Sequence, residues 1–221
     1  MSAANRRFAK ALDLGSRQKS FVGLEPLADS WVRVMLAPQE ATTGPAVVAD
    51  EEFLPFAAAR FDLVTSVLSL HAVNDLPGAL IQIRQILAPG GLFVAALFGG
   101  PTLSELRRAL ASGESDTTGG ISPRVAPFAD VRDLGNLLQR AGFALPVADS
   151  ERLLVRYRNF FTLVEDLRAI GETNALEQRS RIPLRRTTLS AAVAHYAEND
   201  SEADGTFRAT FDTIYVSGWK N

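Results

Sequence analysis

Three short apolar runs of this chain end on residues that can hold a ligand. Lys10 to Leu14 carries Asp13 and closes on Gly15; Ala46 to Ala49 closes on Asp50 and Glu51; Phe61 to Leu70 carries Ser66 and Ser69 and runs into His71. Glu25 adds a fourth such acid at the close of Ser20 to Leu24. Ionised carboxylates only accept hydrogen bonds, so these acids suit amino or hydroxyl donors. Glycine tolerates a sharp turn and a close backbone approach, which gives Gly15 a use beside them. An imidazole titrates near neutrality, so His71 is the candidate base. Plainer readings stand beside these: Asp50-Glu51-Glu52 also fits a solvated acidic turn, and His71 also fits a satisfied rim histidine.

The elements that must position these residues follow from periodicity. Lys10 to Gly15 and Ser20 to Leu24 have the pattern of short strands. Leu27, Trp31, Val34 and Met35 recur at helical spacing up to a stop at Pro38. The nearly unbroken apolar run from Phe61 suits a parallel strand covered on both faces. Asp75 is placed to cap a helix with Pro77 in its first turn and Leu76, Leu80, Ile83 and Leu87 on one face. Ala88 to Gly91 reads as a turn before a strand from Leu92 to Phe98. Thr102 to Glu105 has the spacing of a capping box for a helix through Leu106 and Leu110. Ser112 to Phe128, rich in Ser, Thr, Gly and Pro, reads as a loop long enough to act as a lid. A helical stripe from Val131 stops at Gly142. Strand Leu153 to Tyr157, helices over Phe160 to Ile170 and Leu189 to Tyr196, and a last strand Phe207 to Val216 complete the pattern, with a turn at Asp204-Gly205. This alternation predicts an α/β sheet, whose ligands bind beyond the carboxyl ends of its strands.

Composition narrows the choice of partners. At 221 residues and 47% hydrophobic content, the chain suits one good-sized α/β domain. Lys and Arg number 23 against 25 Asp and Glu. The net charge of -2 gives no electrostatic reason to expect nucleic acid, and the arginines at 179, 181, 185 and 186 read as a solvated face. The absence of cysteine removes disulfides, thiol nucleophiles and cysteine-based zinc sites. No apolar run has the length of a membrane span, and the first residues carry no signal-peptide core, so the cytoplasm is the expected location.

A family resemblance runs through several ordered blocks. They are Asp50-Glu51-Glu52-Phe53-Leu54-Pro55-Phe56, Phe61-Asp62-Leu63-Val64, Ser69-Leu70-His71 with Val73-Asn74-Asp75-Leu76-Pro77, Phe98-Gly99-Gly100 with Glu105-Leu106-Arg107, Arg140-Ala141-Gly142-Phe143, and Gly218-Trp219. Over roughly residues 45 to 220 the chain resembles class I S-adenosylmethionine-dependent methyltransferases, above all the complex I assembly factor 5 type and its cousins in biotin synthesis. The resemblance implies a Rossmann-like, mostly parallel sheet with an antiparallel last strand. It implies one domain over 1–221, with 112–128 as lid and 158–200 as a helical insertion. It also implies S-adenosylmethionine as cofactor and a protein partner in respiratory-complex assembly. Asp50 would meet the adenine amino group with Glu51 beside it, and Glu25 the ribose hydroxyls. Asp13 and Gly15 would open the cofactor loop, Ser66 to Ser69 would underlie the sulfonium, and His71 would stand at the substrate mouth. In the assembly-factor relatives the implied reaction is hydroxylation of a protein arginine, so the fold leaves the reaction open.

The front of the chain departs from that pattern. Where the family carries glycines after Asp-x-Gly, this sequence reads Asp13-Leu14-Gly15-Ser16-Arg17-Gln18-Lys19, and a side chain at Arg17 would occlude the backbone approach. Parallel neighbours need a crossover of about a dozen residues or more, which leaves room for too few helices before Ala46. Two functions therefore stand side by side: an enzyme using S-adenosylmethionine, and a catalytically inactive binding module on the same fold.

Overall fold

Burial begins at the first strand. In β1 (Phe8–Leu14), Ala11, Leu12, Asp13 and Leu14 are wholly buried, as a parallel strand flanked on both sides demands. A computed structural model describes residues 6–15, 23–37, 44–174 and 179–221, together with the backbone but not the side chain of Glu25. β1 pairs in parallel with β2 (Ala28–Met35), Leu12 opposite Val32, and with β4 (Phe61–Val67), Leu12 opposite Val64. β3 (Ala46–Val48) pairs with β2, and β5 (Leu87–Phe98) with β4, also in parallel. With β6 (Ala144–Tyr157) and β7 (Phe207–Trp219) the sheet has seven strands in the order β3-β2-β1-β4-β5-β7-β6. β7 is antiparallel: Gly90 N donates to Lys220 O, and Lys220 N donates to Gly91 O. The mixed α/β sheet with its antiparallel last strand is the one expected.

The helix expected over Leu27 to Leu36 is not formed. Those residues are β2, entered through a single 3-10 turn, Glu25–Leu27. The spacing of Trp31, Val34 and Met35 fits a strand as well as a helix, because a parallel strand is covered on both faces and need not alternate strictly. The expected strand Ser20 to Leu24 falls mostly outside the described residues, and its described end, Gly23 and Leu24, is a turn. Ala88 to Gly91 is not a turn between elements but an irregularity within β5. Phe61 pairs with Leu87 and Leu63 with Leu92, so six residues oppose three.

The chain forms two compact units. The first comprises Met1–Phe98, Ala129–Ser150 and Ile214–Asn221; the second comprises Gly99–Phe128 and Glu151–Thr213. Leu12, Leu14, Val34, Val64, Phe93 and Ile214 anchor the core of the first. Its helices start where the sequence signals them. Asp75 accepts from Gly78 N (2.9 Å) to cap α1 (Leu76–Ile86), and Asp130 accepts from Asp133 N (2.8 Å) to cap α3 (Val131–Arg140). Gly142, at φ +85°, ends α3.

The second unit is built on α2 (Ser104–Thr118), α4 (Phe160–Ala169) and α5 (Arg186–Asp200). The loop expected from Ser112 is therefore helical as far as Thr118. Hydroxyls of Thr117 and Thr118 donate back to Gly113 O and Glu114 O, which keeps these residues in the helix. Residues 119–128 are tied down as well. Ser122 N and Arg124 bond the buried Glu114 carboxylate, and Arg107 donates to Ala126 O (3.0 Å) while also reaching Thr102 O. The expected capping box is absent, because each partner is engaged elsewhere. Thr102 Oγ1 donates to Asp212 O and accepts from Asp212 N, and Glu105 accepts from Thr210. Leu103, at φ +54°, stands at the helix cap without a side-chain bond.

Two predictions follow from this packing. A Cβ on Gly113 would fall 2.7 Å from Ala192 N and 2.8 Å from Thr188 O, both backbone atoms that cannot turn aside. Gly113→Ala should therefore cost about 1–3 kcal/mol in urea denaturation despite its better helix propensity, whereas Gly120→Ala, with open space, should stay within about 0.5 kcal/mol. For Glu105, burial by itself raises the carboxyl pKa. The Thr210 hydroxyl and the surrounding amide and hydroxyl donors outweigh burial and hold the carboxyl below its ordinary value. A lowered native pKa stabilises the fold above the unfolded-state pKa, and that stability is lost as pH falls through the native value. Thr210→Val should cost about 1–3 kcal/mol near neutrality, with the gap to the parent closing as urea midpoints are followed into acid.

Candidate functional site

The carboxyl ends of β1, β3 and β4 gather most of the singled-out residues in the first unit. Leu14 lies opposite Ser66 in the β1–β4 register, so Asp13, Gly15 and Ser66 meet at the point where β1 separates β2 from β4. Gly15 turns there at φ +71°. A Cβ on it would overlap Ser69 and come within 2.7 Å of Glu51 Oε1, so glycine is required both by conformation and by space.

Glu51 and Ser69 reach this point from different strand ends. Ser69 follows β4, and its hydroxyl donates to Glu51 Oε1; both side chains are buried. Glu51 is thus a packed carboxylate with a hydroxyl partner rather than an exposed flank of Asp50. Asp50 is exposed at the end of β3 and accepts from Glu52 N (2.9 Å), which turns the chain sharply. Its other carboxylate oxygen faces no protein donor given by any described residue, which suits an amino donor from a ligand. Glu52 in turn accepts from the backbone of Asn74 and Asp75, tying this loop to the start of α1.

Asp13 is wholly buried, with Thr65 Oγ1 3.3 Å from its Oδ1. Ser66 is also wholly buried, and its Oγ makes no hydrogen bond among the described residues. His71 sits in a 3-10 turn, Leu70–Ala72, just past β4, with its ring 4.9 Å from that of Phe98. The structure therefore brings Asp13, Gly15, Glu51, Ser66 and Ser69 together and sets Asp50 and His71 on the same rim.

Glu25 is the exception. It precedes β2 rather than ending a strand, and β2 runs parallel to β1, so Glu25 lies at the amino edge of the sheet. The length of β2, roughly 25 Å, separates it from the rim. The carboxyl end of β2 is Met35, which is buried, followed by Leu36, which is exposed. The described residues thus fit the adenine end of S-adenosylmethionine at Asp50, and supply no acid for its ribose at the end of β2. Arg17, where the family's loop carries a second glycine, lies outside the described residues.

Such a sheet and rim define a class I methyltransferase fold, and the chain belongs to the methyltransferase-domain family, which matches residues 1–146. It is similar to the mitochondrial arginine-hydroxylase NDUFAF5 of Homo sapiens, 50% identical over 174 residues, covering 79% of this chain and 50% of that protein. It is also similar to the malonyl-[acyl-carrier protein] O-methyltransferase of Methylovorus sp. (strain MP688), 39% identical over 175 residues, covering 79% of this chain and 56% of the relative. The chain spans about half the length of these relatives. Among solved structures, the YcgJ protein of Bacillus subtilis superposes with a TM-score of 0.66 at 13% identity, covering 98% of this chain and 93% of that one. That likeness bears on the fold alone.

The Glu51–Ser69 pair gives a direct test of the geometry. Ser69→Ala would leave a buried carboxylate without its hydroxyl donor and should cost about 1–3 kcal/mol in urea denaturation. Asp50→Ala, at an exposed position, should change stability by less than about 0.5 kcal/mol.

Proposed function

We propose that this protein is a methyltransferase-fold assembly factor that binds a protein partner, and that its cofactor site holds S-adenosylmethionine weakly or not at all. The observation that carries this is the state of the Gly15 turn. Ser69 and Glu51 are bonded to one another and packed directly on it, while the sequence places Arg17 where the family uses glycine. Only a backbone free of side chains lets a ligand come within hydrogen-bonding distance of its amides. Losing three such bonds, at roughly 0.5–3 kcal/mol each, is enough to turn micromolar affinity into millimolar. The similarity to NDUFAF5 supports respiratory-complex assembly as the setting and a protein as the partner.

A second reading is favoured by Asp50, whose exposed carboxylate keeps the place of the adenine acid. In that reading the chain binds S-adenosylmethionine and works as an enzyme, transferring a methyl group or, like the relatives named arginine-hydroxylase, acting on a protein arginine. Asp50 would then meet the adenine, and the Gly15 turn with Ser66 and Ser69 would line the rest of the cofactor, whose electrophilic methyl supplies methyl-transfer chemistry. His71 is the nearest candidate for moving a proton at the mouth.

Calorimetric titration with S-adenosylmethionine and S-adenosylhomocysteine separates the two. The first reading expects no saturable heat up to millimolar ligand. Micromolar binding that disappears in Asp50→Ala would overturn it in favour of the second.

A further inference from the structure

The second unit holds a cavity that the rim chemistry does not use. It encloses about 620 Å³ and is walled by Leu110, Phe160, Val164, Leu167, Leu184 and Leu189, from α2, α4, α5 and the approach to α5. That is the size of a pocket for a bulky side chain or a small molecule, and its apolar walls select an apolar occupant. Phe161, also on the wall, is 56% exposed, and Ile182, two residues from Leu184, is 73% exposed. Exposed aromatic and aliphatic groups around a concave apolar surface mark a binding face.

Charge at the mouth narrows the occupant. Leu184 belongs to a strip, residues 179–186, that carries four arginines and no acid. Arg181, Arg185 and Arg186 are exposed and make no ion pair among the described residues. By contrast, the wall arginine at 124 is already neutralised by Glu114 at 2.7 Å. Among the described residues the wall itself carries two acids, Glu165 and Glu172, and one further cation, Arg168, and the strip that supplies its Leu184 adds the three exposed arginines at 181, 185 and 186. The amino end of α5 adds to this field, since Arg185 stands at its cap without a side-chain bond and the 15-residue helix points its free N–H groups outward there. Arginine matches carboxylates with a planar, multidentate donor set and is the cation favoured at protein interfaces.

Three exposed guanidinium groups call for several anions at once, and one apolar cavity calls for one large apolar group among them. We propose that this face docks an acidic segment of a partner protein, seating a bulky apolar side chain in the cavity and flanking carboxylates on Arg181, Arg185 and Arg186. This deepens the partner-binding reading above by giving the partner a chemistry.

The test is selection of a displayed library of random twelve-residue peptides on the full chain, with a charge-reversed variant (R181E/R185E/R186E) for counter-selection. Enriched peptides are expected to carry Leu, Phe or Trp flanked by at least two Asp or Glu. A synthetic copy, followed by fluorescence anisotropy, should weaken at least tenfold on the charge-reversed variant and on Val164→Trp, which fills the cavity. If circular dichroism shows Val164→Trp unfolded, Leu184→Glu takes its place with the same expected loss. Affinity should also fall as salt rises. Neutral or basic enriched peptides, no enrichment over counter-selection, equal binding to either variant, or binding of phosphatidylserine vesicles or single-stranded DNA through the same arginines instead would each overturn the proposal. Cofactor titration reports separately, so tight S-adenosylmethionine binding would remove the non-catalytic reading and leave this docking face to stand or fall on the peptide result.

Discussion

Everything at the rim is counted from the end of β1. Its two parallel ladders, to β2 and to β4, fix the direction of three strands at once, and Gly15 ends it with a turn that no other residue could make in that space. Once β1 stops there, Ser66 must lie opposite Leu14, Ser69 must arrive over the turn, and Glu51 must pack from the far side. The Glu51–Ser69 bond is a consequence of that constraint. A carboxylate brought into a buried turn has to find a donor, and the residue after β4 supplies it.

Residues whose role depends only on local chemistry were legible before the structure. Asp75 and Pro77 announce a helix start because a cap is a bond to amides two or three residues away. Gly142 announces a helix end for a similarly local reason. The strand ends at Asp13, Ser66 and Asp50 were legible because an apolar run that stops on a polar residue in an α/β chain points to the carboxyl edge. The misreadings are those that only tertiary structure resolves. Trp31, Val34 and Met35 satisfy two periods at once, and the pairing of β2 with β1 decides between them. Thr102 and Glu105 have capping-box spacing, but the backbone of β7 and Thr210 compete for the same hydroxyl and carboxylate. The boundary at Ser112 was drawn from composition, whereas the close approach of Gly113 to α5 and the hydroxyl bonds of Thr117 and Thr118 carry the helix further.

The two units use charge in different ways. In the first, the acids of the rim are buried or bonded within a few residues of the sheet edge, and Asp50 alone of them is left facing out. In the second, several arginines are internal struts. Arg107 binds backbone carbonyls, Arg124 binds Glu114, and Arg108 and Arg208 share the buried Asp200 at the end of α5, where a carboxylate would otherwise oppose the helix dipole. Arg181, Arg185 and Arg186 depart from that pattern, since they are exposed and meet no acid among the described residues.

Glu25 shows how strictly topology governs chemistry here. Its residue type is right for a ribose. What excludes it is strand direction. Six residue pairs hold β1 and β2 parallel, from Phe8 with Ala28 to Leu14 with Val34. Bringing Glu25 to the rim would require reversing β2 or sliding it by its whole length, and either change would strip Val34 and Met35 from the core and break the pairing with β3. The position that faces the rim is held by a buried thioether, which offers a cofactor hydroxyl no strong acceptor. Glu25 is therefore held away from the rim by the sheet itself, and no rearrangement of the loop after Gly15 can bring it there.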